Sequence, residues 1–242
     1  MKIESLTGYR SGTTTFTSKM PELLVFPLTK QTLDDKKVKN KLLTICTNMD
    51  RECFEGEEGK MGATLFMKES LYDSSLGHLL FLLVEGNKLL CSALMAYSSQ
   101  ITFRWTPPAL RKQGYATMML KEIEALWACT EARPLWVSSY DYMEKSNTKA
   151  GWVKFPFPNE DGTQDWYPPQ YLERYSIHWH RIQETQKTRS LTWKETFFNS
   201  IATKAEQEAF GSDFIKLLAL GMCGKEMKTI QDLYERVKKL KF

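Results

Sequence analysis

The residues best suited to chemistry in this sequence lie together between Thr106 and Ala116. Arg111 and Lys112 supply positive charge there, and Gly114 lets a ligand approach the backbone closely. A stretch of this kind binds anions when a helix follows it, because the first turn of a helix presents unpaired N–H groups and the positive end of its dipole. The composition of the stretch therefore predicts a phosphate-binding loop.

Two elements must hold this loop in place. Residues 101–105, rich in β-branched and aromatic side chains, predict a strand before it. After it, apolar residues recur at helical spacing and predict an amphipathic helix. They are Ala116, Met119, Leu120, Ile123, Leu126 and Trp127. The order of strand, loop and helix places the loop at a helix N-terminus, which favours a nucleotide-derived cofactor as the ligand.

The full pattern Arg-x-x-Gly-x-Ala, between this strand and this helix, resembles the acetyl-CoA-binding motif of the GCN5-related N-acetyltransferase (GNAT) superfamily. Arg111, Gly114 and Ala116 match the family's Arg/Gln-x-x-Gly-x-Gly/Ala position for position. Lys112 stands where the family usually has Gly, and Gln113 where it usually has a basic residue. The resemblance implies that the loop binds the pyrophosphate of acetyl-CoA, the acyl donor. The residues it assigns to the cofactor are Phe103, Arg104, Trp105, Thr106, Arg111, Lys112, Gln113, Gly114, Tyr115 and Ala116.

The flanking sequence predicts an α/β fold. Residues 79–84 and 89–97 are apolar runs separated by a polar turn, and together with residues 101–105 they predict three antiparallel strands. The other predicted elements are a strand at 23–26, helices over 33–54 and 61–71, and a strand at 134–139. This order is the one that the resemblance implies: a GNAT-like mixed, mostly antiparallel central sheet flanked by helices, with a C-terminal helical extension.

We divide the chain into three parts. Residues 1–22 form an irregular N-terminal arm, residues 23–189 a GNAT-like acyl-CoA-binding domain, and residues 190–242 a helical extension. Capping boxes at residues 192–195 and 203–206 begin helices in the extension. The extension is expected to pack on the core, and the alternative is a docking surface for a protein partner or a second copy of the chain.

The residues that complete the chemistry follow the predicted strand at 134–139. The segment 149–152, Lys-Ala-Gly-Trp, resembles the family's Lys-x-Gly-Phe ending. Many members carry, two residues before that Lys, a Tyr that protonates the CoA sulfur as it leaves. Here the position holds Asn147, whose amide can hydrogen-bond a thiolate but cannot act as a general acid. The candidate catalytic residues are therefore Asn147 and the nearest phenols, Tyr140 and Tyr142.

Acyl transfer to an amine also needs a polarised carbonyl and a deprotonated amine. The resemblance implies that a backbone N–H beside a bulge at residues 103–106 polarises the carbonyl. The family's Glu base has no counterpart, because residues 88–120 contain no acid. Deprotonation is left to water, to Asp141, or to His178 and His180, which share one face of an expected strand. The alternative for these histidines is a pair of ring donors on an edge strand.

Two further features have structural interpretations. The segment 155–171 interleaves prolines with aromatic residues and predicts a loop, which either shapes the choice of acceptor or covers the core. His78 precedes a predicted strand and is expected to be an ordinary loop residue.

Composition excludes several classes of protein. The 242 residues contain no apolar run of membrane-spanning length and no N-terminal signal pattern, so we expect an intracellular protein with no membrane association. The five cysteines are scattered without C-x-x-C pairs, which predicts neither a metal site nor disulfides. A net charge of +4 is modest for a nucleic-acid binder.

Three function classes fit these residues. The first is an N-acetyltransferase that moves an acetyl or related acyl group from CoA to an amine, with a protein or peptide amine slightly favoured over a small molecule. The second is a catalytically weak or inactive CoA-binding scaffold, which the missing Tyr and Glu favour. The third is a nucleobase-amine acyltransferase, against which the modest net charge argues because it predicts weak, salt-sensitive binding of nucleic acid.

Overall fold

The structure of the protein is a computed structural model, which describes residues 21–30, 32–53, 62–72, 78–95, 100–128, 135–158, 162–170 and 230–242. Its strands are β1 (Glu22–Pro27), β2 (Leu79–Glu85), β3 (Lys88–Met95), β4 (Gln100–Trp105), β5 (Trp136–Ser139), β6 (Val153–Pro158) and β7 (Gln164–Tyr167). Its helices are α1 (Lys36–Cys53), α2 (Ala63–Tyr72), α3 (Tyr115–Trp127), α4 (Glu144–Ala150) and α5 (Ile230–Lys238). Short 3₁₀ turns at Pro108–Leu110 and Asp141–Met143 precede α3 and α4.

The strands of the described residues form one sheet of seven, in the order β1-β2-β3-β4-β5-β7-β6. Neighbouring strands pair antiparallel, except β4 and β5, which are parallel. The predicted meander of β2, β3 and β4 is confirmed, and so are the two helices predicted upstream of it. The predicted fold class, a mixed and mostly antiparallel sheet flanked by helices, is therefore correct.

One predicted loop was wrong. The segment 155–171 was expected to be irregular, but much of it belongs to the antiparallel strands β6 and β7. Among the described strands β6 is at the edge of the sheet and pairs with β7 alone. Proline lacks a backbone N–H, which costs no ladder bond where an edge strand faces away from its neighbour. The prolines therefore made β6 look like a loop in the sequence, and its hydrogen bonds with β7 identify it as a strand.

Helical layers bury both faces of the sheet. On one face α1, α2 and α5 enclose a core, and on the other face α3 and α4 enclose a second one. The fully buried residues of α1 recur at helical spacing: Val38, Leu42, Ile45 and Met49. Those of α3 do the same: Met119, Leu120, Ile123 and Trp127. Because β4 and β5 lie near the middle of this sheet, both layers fix their positions.

Helix α5 lies in the first layer, in contact with α1. Leu233, Val237 and Leu240 are buried there, and Tyr234 stacks on Phe26 of β1 with their ring centroids 5.9 Å apart. A helix that packs on the core is expected to bury its apolar stripe in this way. The part of the extension that the structure describes is therefore joined to the core.

Several predicted features lie outside the described residues. They are most of the N-terminal arm, His178 and His180, and residues 190–229 with both capping boxes. Among the helices that the structure describes, none combines the length and the apolarity needed to cross a bilayer.

His78 lies in a loop just before β2, as the sequence predicts, but it is buried. Its Nδ1 lies 3.1 Å from the Ser70 hydroxyl and 3.3 Å from the carbonyl oxygen of Phe66, both on α2. Burial lowers the pKa of His78 below its ordinary value of 6.5. The folded protein therefore resists protonation at this position.

The free energy of unfolding is expected to fall as the pH drops below the ordinary pKa of histidine. In that range the unfolded chain binds a proton at His78 that the folded chain does not bind, so protonation favours unfolding; above that range His78 contributes no pH dependence. Urea unfolding at about pH 7 and about pH 5 measures the effect, with His78→Gln as the comparison. If the free energy of unfolding of His78→Gln falls as much as that of the parent protein between the two pH values, this assignment is wrong.

Candidate active site

The central feature of the site is a gap between β4 and β5. The two strands pair only at Gln100 with Trp136 and at Ile101 with Val137. Beyond these pairs β5 continues to pair with β7, while β4 continues along β3. The strands therefore diverge, and a small cavity of about 80 Å³ lies between residues 101–104 of β4 and residues 137–143.

The predicted irregularity in β4 lies close to this gap. Leu94 pairs with Phe103, whereas the next residue, Met95, pairs with Ile101, so Thr102 is the extra residue of a bulge. The bulge thus begins just before the segment 103–106 to which the sequence assigned it. A bulge of this kind turns backbone groups away from the ladder, where they can meet a ligand.

The backbone conformation of the loop after β4 agrees with the position of its glycine. Gly114 is the N-cap of α3 and has φ of 89°, in the left-handed region that favours glycine. Lys112 also has a positive φ, of 63°, in the place where the GNAT motif usually has glycine. A Cβ atom added to Gly114 would meet no atom within 4 Å, so the space in front of it is open. The first turn of α3 therefore faces open space, as an anion site needs.

A larger cavity of about 650 Å³ lies in front of this loop, between the start of α3 and α4. Its volume is within the ordinary range for small-molecule sites. Its charged lining consists of five basic residues and one acid: Arg104, Arg111, Lys112, Lys145, Lys149 and Glu52. The excess of positive charge suits a ligand that carries several phosphates.

The structure brings together most of the residues that the sequence assigned to the cofactor. Eight of them line the larger cavity: Arg104, Trp105, Thr106, Arg111, Lys112, Gly114, Tyr115 and Ala116. Phe103 instead lines only the smaller cavity and packs in the core against Phe66, with ring centroids 5.8 Å apart. The Gln113 amide donates a hydrogen bond to the carbonyl oxygen of Ala109 at 3.3 Å, and Gln113 is not part of the cavity lining.

The sequence reasoning missed some lining residues. Lys145 and Lys149 are one turn apart on α4, a spacing that could have indicated a basic helix face. Glu52, from the last turn of α1, forms an ion pair with Arg111, and the Arg111 Nε donates to the carbonyl oxygen of Thr106 at 3.3 Å. No local pattern connects Glu52 with the loop, because their contact depends on the tertiary fold.

Arg104 lies on β4 at the boundary between the two cavities and is nearly buried. Its Nη2 donates to Asn147 Oδ1 at 2.8 Å and to Ser146 Oγ at 3.1 Å, both on α4. Asn147 Nδ2 in turn donates to Ser139 Oγ of β5 at 3.0 Å. This chain of hydrogen bonds links β4, α4 and β5 across the gap.

The charge of Arg104 also acts on a thiol in the core. Burial raises the pKa of Cys91 on β3 to about 11, while the Thr106 hydroxyl and the positive charge of Arg104 act in the opposite direction. A cation favours a thiolate over a thiol wherever the two are close. Burial outweighs both, so Cys91 stays a thiol at neutral pH.

The three candidate catalytic residues occupy different environments. Asn147 is fully buried, with both ends of its amide engaged by Arg104 and Ser139. Tyr140 and Tyr142 are exposed and stack on each other, with ring centroids 6.1 Å apart. Tyr142 lines both cavities, and Tyr140 lines the smaller one. Catalytic roles for all three stay predictions, and these contacts favour a positioning role for Asn147.

Comparison with known proteins gives matches among solved structures alone. No protein-family model matches this sequence, and no curated protein matches it. An acyl-CoA N-acyltransferase from Pseudomonas aeruginosa is 13% identical with a TM-score of 0.42, and the match covers 60% of this chain and 97% of that one. The N-acetyltransferase PseH from Campylobacter jejuni is 14% identical with a TM-score of 0.39, over 62% of this chain and 97% of that one. An acetyltransferase of the GNAT family from Streptococcus pneumoniae is 14% identical with a TM-score of 0.35, over 60% and 96%.

The topology agrees with the expectation from the motif. The described elements run β-α-α-β-β-β-α-β-α-β-β along the chain, before α5. The central strands β4 and β5 are parallel and diverge, and the loop between β4 and α3 carries the motif. The order of elements from β1 to β5 and the place of the motif are what the resemblance in residues 111–116 implied, so the described residues have the GNAT-like fold class expected from the sequence.

Proposed function

We propose that the protein transfers an acyl group from acyl-CoA to an amine. The observation that carries this proposal is the larger cavity, in which five basic side chains and the open first turn of α3 surround one space. CoA carries a pyrophosphate and a further phosphate, so it needs both the N–H groups of a helix start and mobile cations. The gap between β4 and β5 supports the proposal because it extends from this cavity into the centre of the sheet.

The acceptor in this proposal is an amine of a protein or peptide. Tyr140 and Tyr142 are 45% and 71% exposed and stand side by side at the edge of the smaller cavity. Exposed tyrosines of this kind are frequent at protein interfaces, because the ring gives contact area and the hydroxyl stays hydrated. A small-molecule amine needs no such surface outside the cavity.

The reaction consists of attack by the neutral amine on the thioester carbonyl carbon, followed by departure of the CoA sulfur. Backbone N–H groups beside the bulge in β4 would polarise the carbonyl oxygen. Among the described residues, the two cavity linings contain no histidine and a single acid, Glu52, which is paired with Arg111. Asp141 lies in neither lining. We therefore assign removal of the amine proton to water.

Titration of the protein with acetyl-CoA in a calorimeter tests the donor, and release of free thiol in the presence of a peptide amine tests the reaction. We expect saturable binding at one site and thiol release that requires the amine. Binding without turnover on any peptide or small amine would instead support the scaffold function, and transfer to a nucleobase amine would support the nucleic-acid alternative. Absence of binding would refute the proposal.

Tyr142→Phe is expected to lower kcat by about 10²-fold, the lower end of what a positioned general acid contributes. The phenol can protonate the sulfur as it leaves, and Tyr142 lines both cavities. Tyr140→Phe is the matched control, since it removes the same hydroxyl from the stacked neighbour that lines one cavity. Asn147→Ala is expected to have a smaller effect than Tyr142→Phe. Full activity in both Tyr→Phe proteins, together with an inactive Asn147→Ala protein, would reverse this assignment of roles.

A further inference from the structure

The two cavities of the candidate active site meet at one place. Three residues line both of them, Arg104, Tyr142 and Met143. On one side of this boundary lies the phosphate-binding loop, and on the other side lies the gap between β4 and β5. A ligand that reaches from the loop into the gap must therefore pass Arg104.

This geometry locates the thioester if the proposed function is correct, and the inference rests on that function. CoA is a long ligand with phosphates at one end and sulfur at the other. With the phosphates at residues 111–116, the sulfur end would extend toward the gap and would pass Arg104, which lines both cavities.

The chemistry at this point creates a negative charge. The amine nitrogen forms a bond to the carbonyl carbon, the carbon–sulfur bond breaks, and its electron pair leaves on sulfur as a thiolate. The amine proton passes to water. Neither oxidant nor reductant is involved, and the thiolate takes up a proton later, before or during its release. Whatever stabilises the thiolate at the moment of departure lowers the barrier.

We propose that Arg104 is the residue that stabilises the departing thiolate, and that Asn147 is the positioning residue that holds the guanidinium at the boundary. The Asn147 carbonyl oxygen accepts a hydrogen bond from Arg104 Nη2 at 2.8 Å, and the Asn147 amide is itself held by Ser139 at 3.0 Å. Arginine suits this role because its charge is permanent and its planar head is fixed by hydrogen bonds. A positive charge thus substitutes for the proton donor that stands at this position in many proteins with the GNAT motif.

The surroundings of Arg104 favour an effect on sulfur. The side chain is 9% exposed, so water screens its charge poorly. The other titratable groups around the two cavities are Glu52 of α1, Cys91 of β3, Arg111, Lys112 and Tyr115 beside or at the start of α3, Tyr140 and Tyr142 after β5, and Lys145 and Lys149 of α4. Of these, Tyr142 lines both cavities as Arg104 does, which makes Tyr142→Phe the necessary comparison.

The decisive measurement is the pKa of the thiol of bound CoA. CoA labelled with carbon-13 at the carbon that bears the sulfur is bound to the full-length protein, and its chemical shift is followed against pH. The reference is the thiol pKa of free CoA in the same buffer, because adjacent cations lower the pKa of a thiol. We expect a value below this reference by about one to two units in the parent protein, a return to the reference in Arg104→Met, and an intermediate value in Arg104→Lys, which keeps the charge but not the planar guanidinium.

Three further variants separate this role from others. Lys149→Met removes a cation that lines only the larger cavity, so it should weaken binding of CoA while the lowered thiol pKa remains. Tyr142→Phe should keep most of the lowering of the thiol pKa, because a neutral hydroxyl affects a thiol pKa less than a full charge does. Asn147→Ala should lose part of the lowering of the thiol pKa of bound CoA. A purely structural role of Asn147 would leave this pKa unchanged. With acetyl-CoA, Arg104→Met should lower kcat by about 10²-fold beyond any loss of CoA affinity, whereas Lys149→Met should mainly raise KM.

The outcomes distinguish this inference from the proposed function. CoA that binds to the parent protein with a thiol pKa at or above that of free CoA would overturn the role of Arg104 and leave the proposed function standing. CoA that does not bind at all would overturn both. Because the parent protein gives the first answer by itself, the inference remains testable even if Arg104→Met fails to fold.

Discussion

Gly114→Glu is expected to lower the affinity for acetyl-CoA by at least about 10²-fold, because the substitution removes at least two charge-assisted hydrogen bonds worth about 1.5–3 kcal/mol each. A Glu side chain would enter the open space in front of α3, where the pyrophosphate would bind, and would bring a negative charge to the positive end of the helix. Calorimetric titration of the purified variant with acetyl-CoA measures the loss.

Backbone strain must be separated from the loss of the anion site, since Gly114 has a φ of 89° that other residues rarely adopt. Gly86 supplies the matched control. It also has a positive φ, of 57°, it has no atom within 4 Å of an added Cβ, and it is not part of the cavity lining. Gly86→Glu should therefore bind acetyl-CoA normally. A folded Gly114→Glu protein with unchanged affinity would refute the assignment of the donor site.

Removal of residues 190–242 is expected to leave an aggregating protein. Leu233, Val237 and Leu240 of the C-terminal segment are buried against the core, so their loss would expose an apolar face that belongs to the interior. The single substitution Leu233→Ala should cost about 2–5 kcal/mol, as is usual for truncation of a fully buried leucine. Urea unfolding of the full-length variant measures this cost.

Glu235→Ala is the control for this substitution, because Glu235 lies on the same helix but is exposed. It should change the free energy of unfolding by less than about 0.5 kcal/mol. A protein truncated at residue 189 that is soluble and binds acetyl-CoA would contradict packing of the extension on the core, and would favour a docking module.

The fold was largely predictable because its main signals are local. The meander of β2, β3 and β4 consists of neighbouring apolar runs joined by a polar turn, and the phosphate-binding loop occupies a single stretch of the sequence. Strand β6 was not predictable in the same way. Its prolines are typical of a loop, and its identity as a strand depends on hydrogen bonds with β7 that no local pattern specifies.

The site was predictable only in part, for the same physical reason. The motif identified Arg111 and Gly114, but the partners of these residues come from distant segments. Glu52 reaches the loop from α1, and Asn147 meets Arg104 across 43 positions of the chain. The sequence showed Asn147 as a residue that can hydrogen-bond a thiolate but cannot protonate it, and its contact with the buried Arg104 depends on the packing of α4 beside β4. The roles of Glu52 and Asn147 therefore depend on which distant residues the tertiary fold brings into contact with them.

The divergence of β4 and β5 has a consequence for the lifetime of the folded protein. In the sheet, two residue pairs, Gln100 with Trp136 and Ile101 with Val137, join the part made by β1 to β4 to the part made by β5 to β7. Since so few ladder pairs join these parts, their attachment depends mainly on the packing of α3 and α4 and on the hydrogen bonds of Asn147 with Arg104 and Ser139, and its local loss would expose the parts to proteases. A molecule bound in the gap touches both parts and adds its binding free energy to the attachment. The abundance of the protein in a cell would then follow the supply of its ligand.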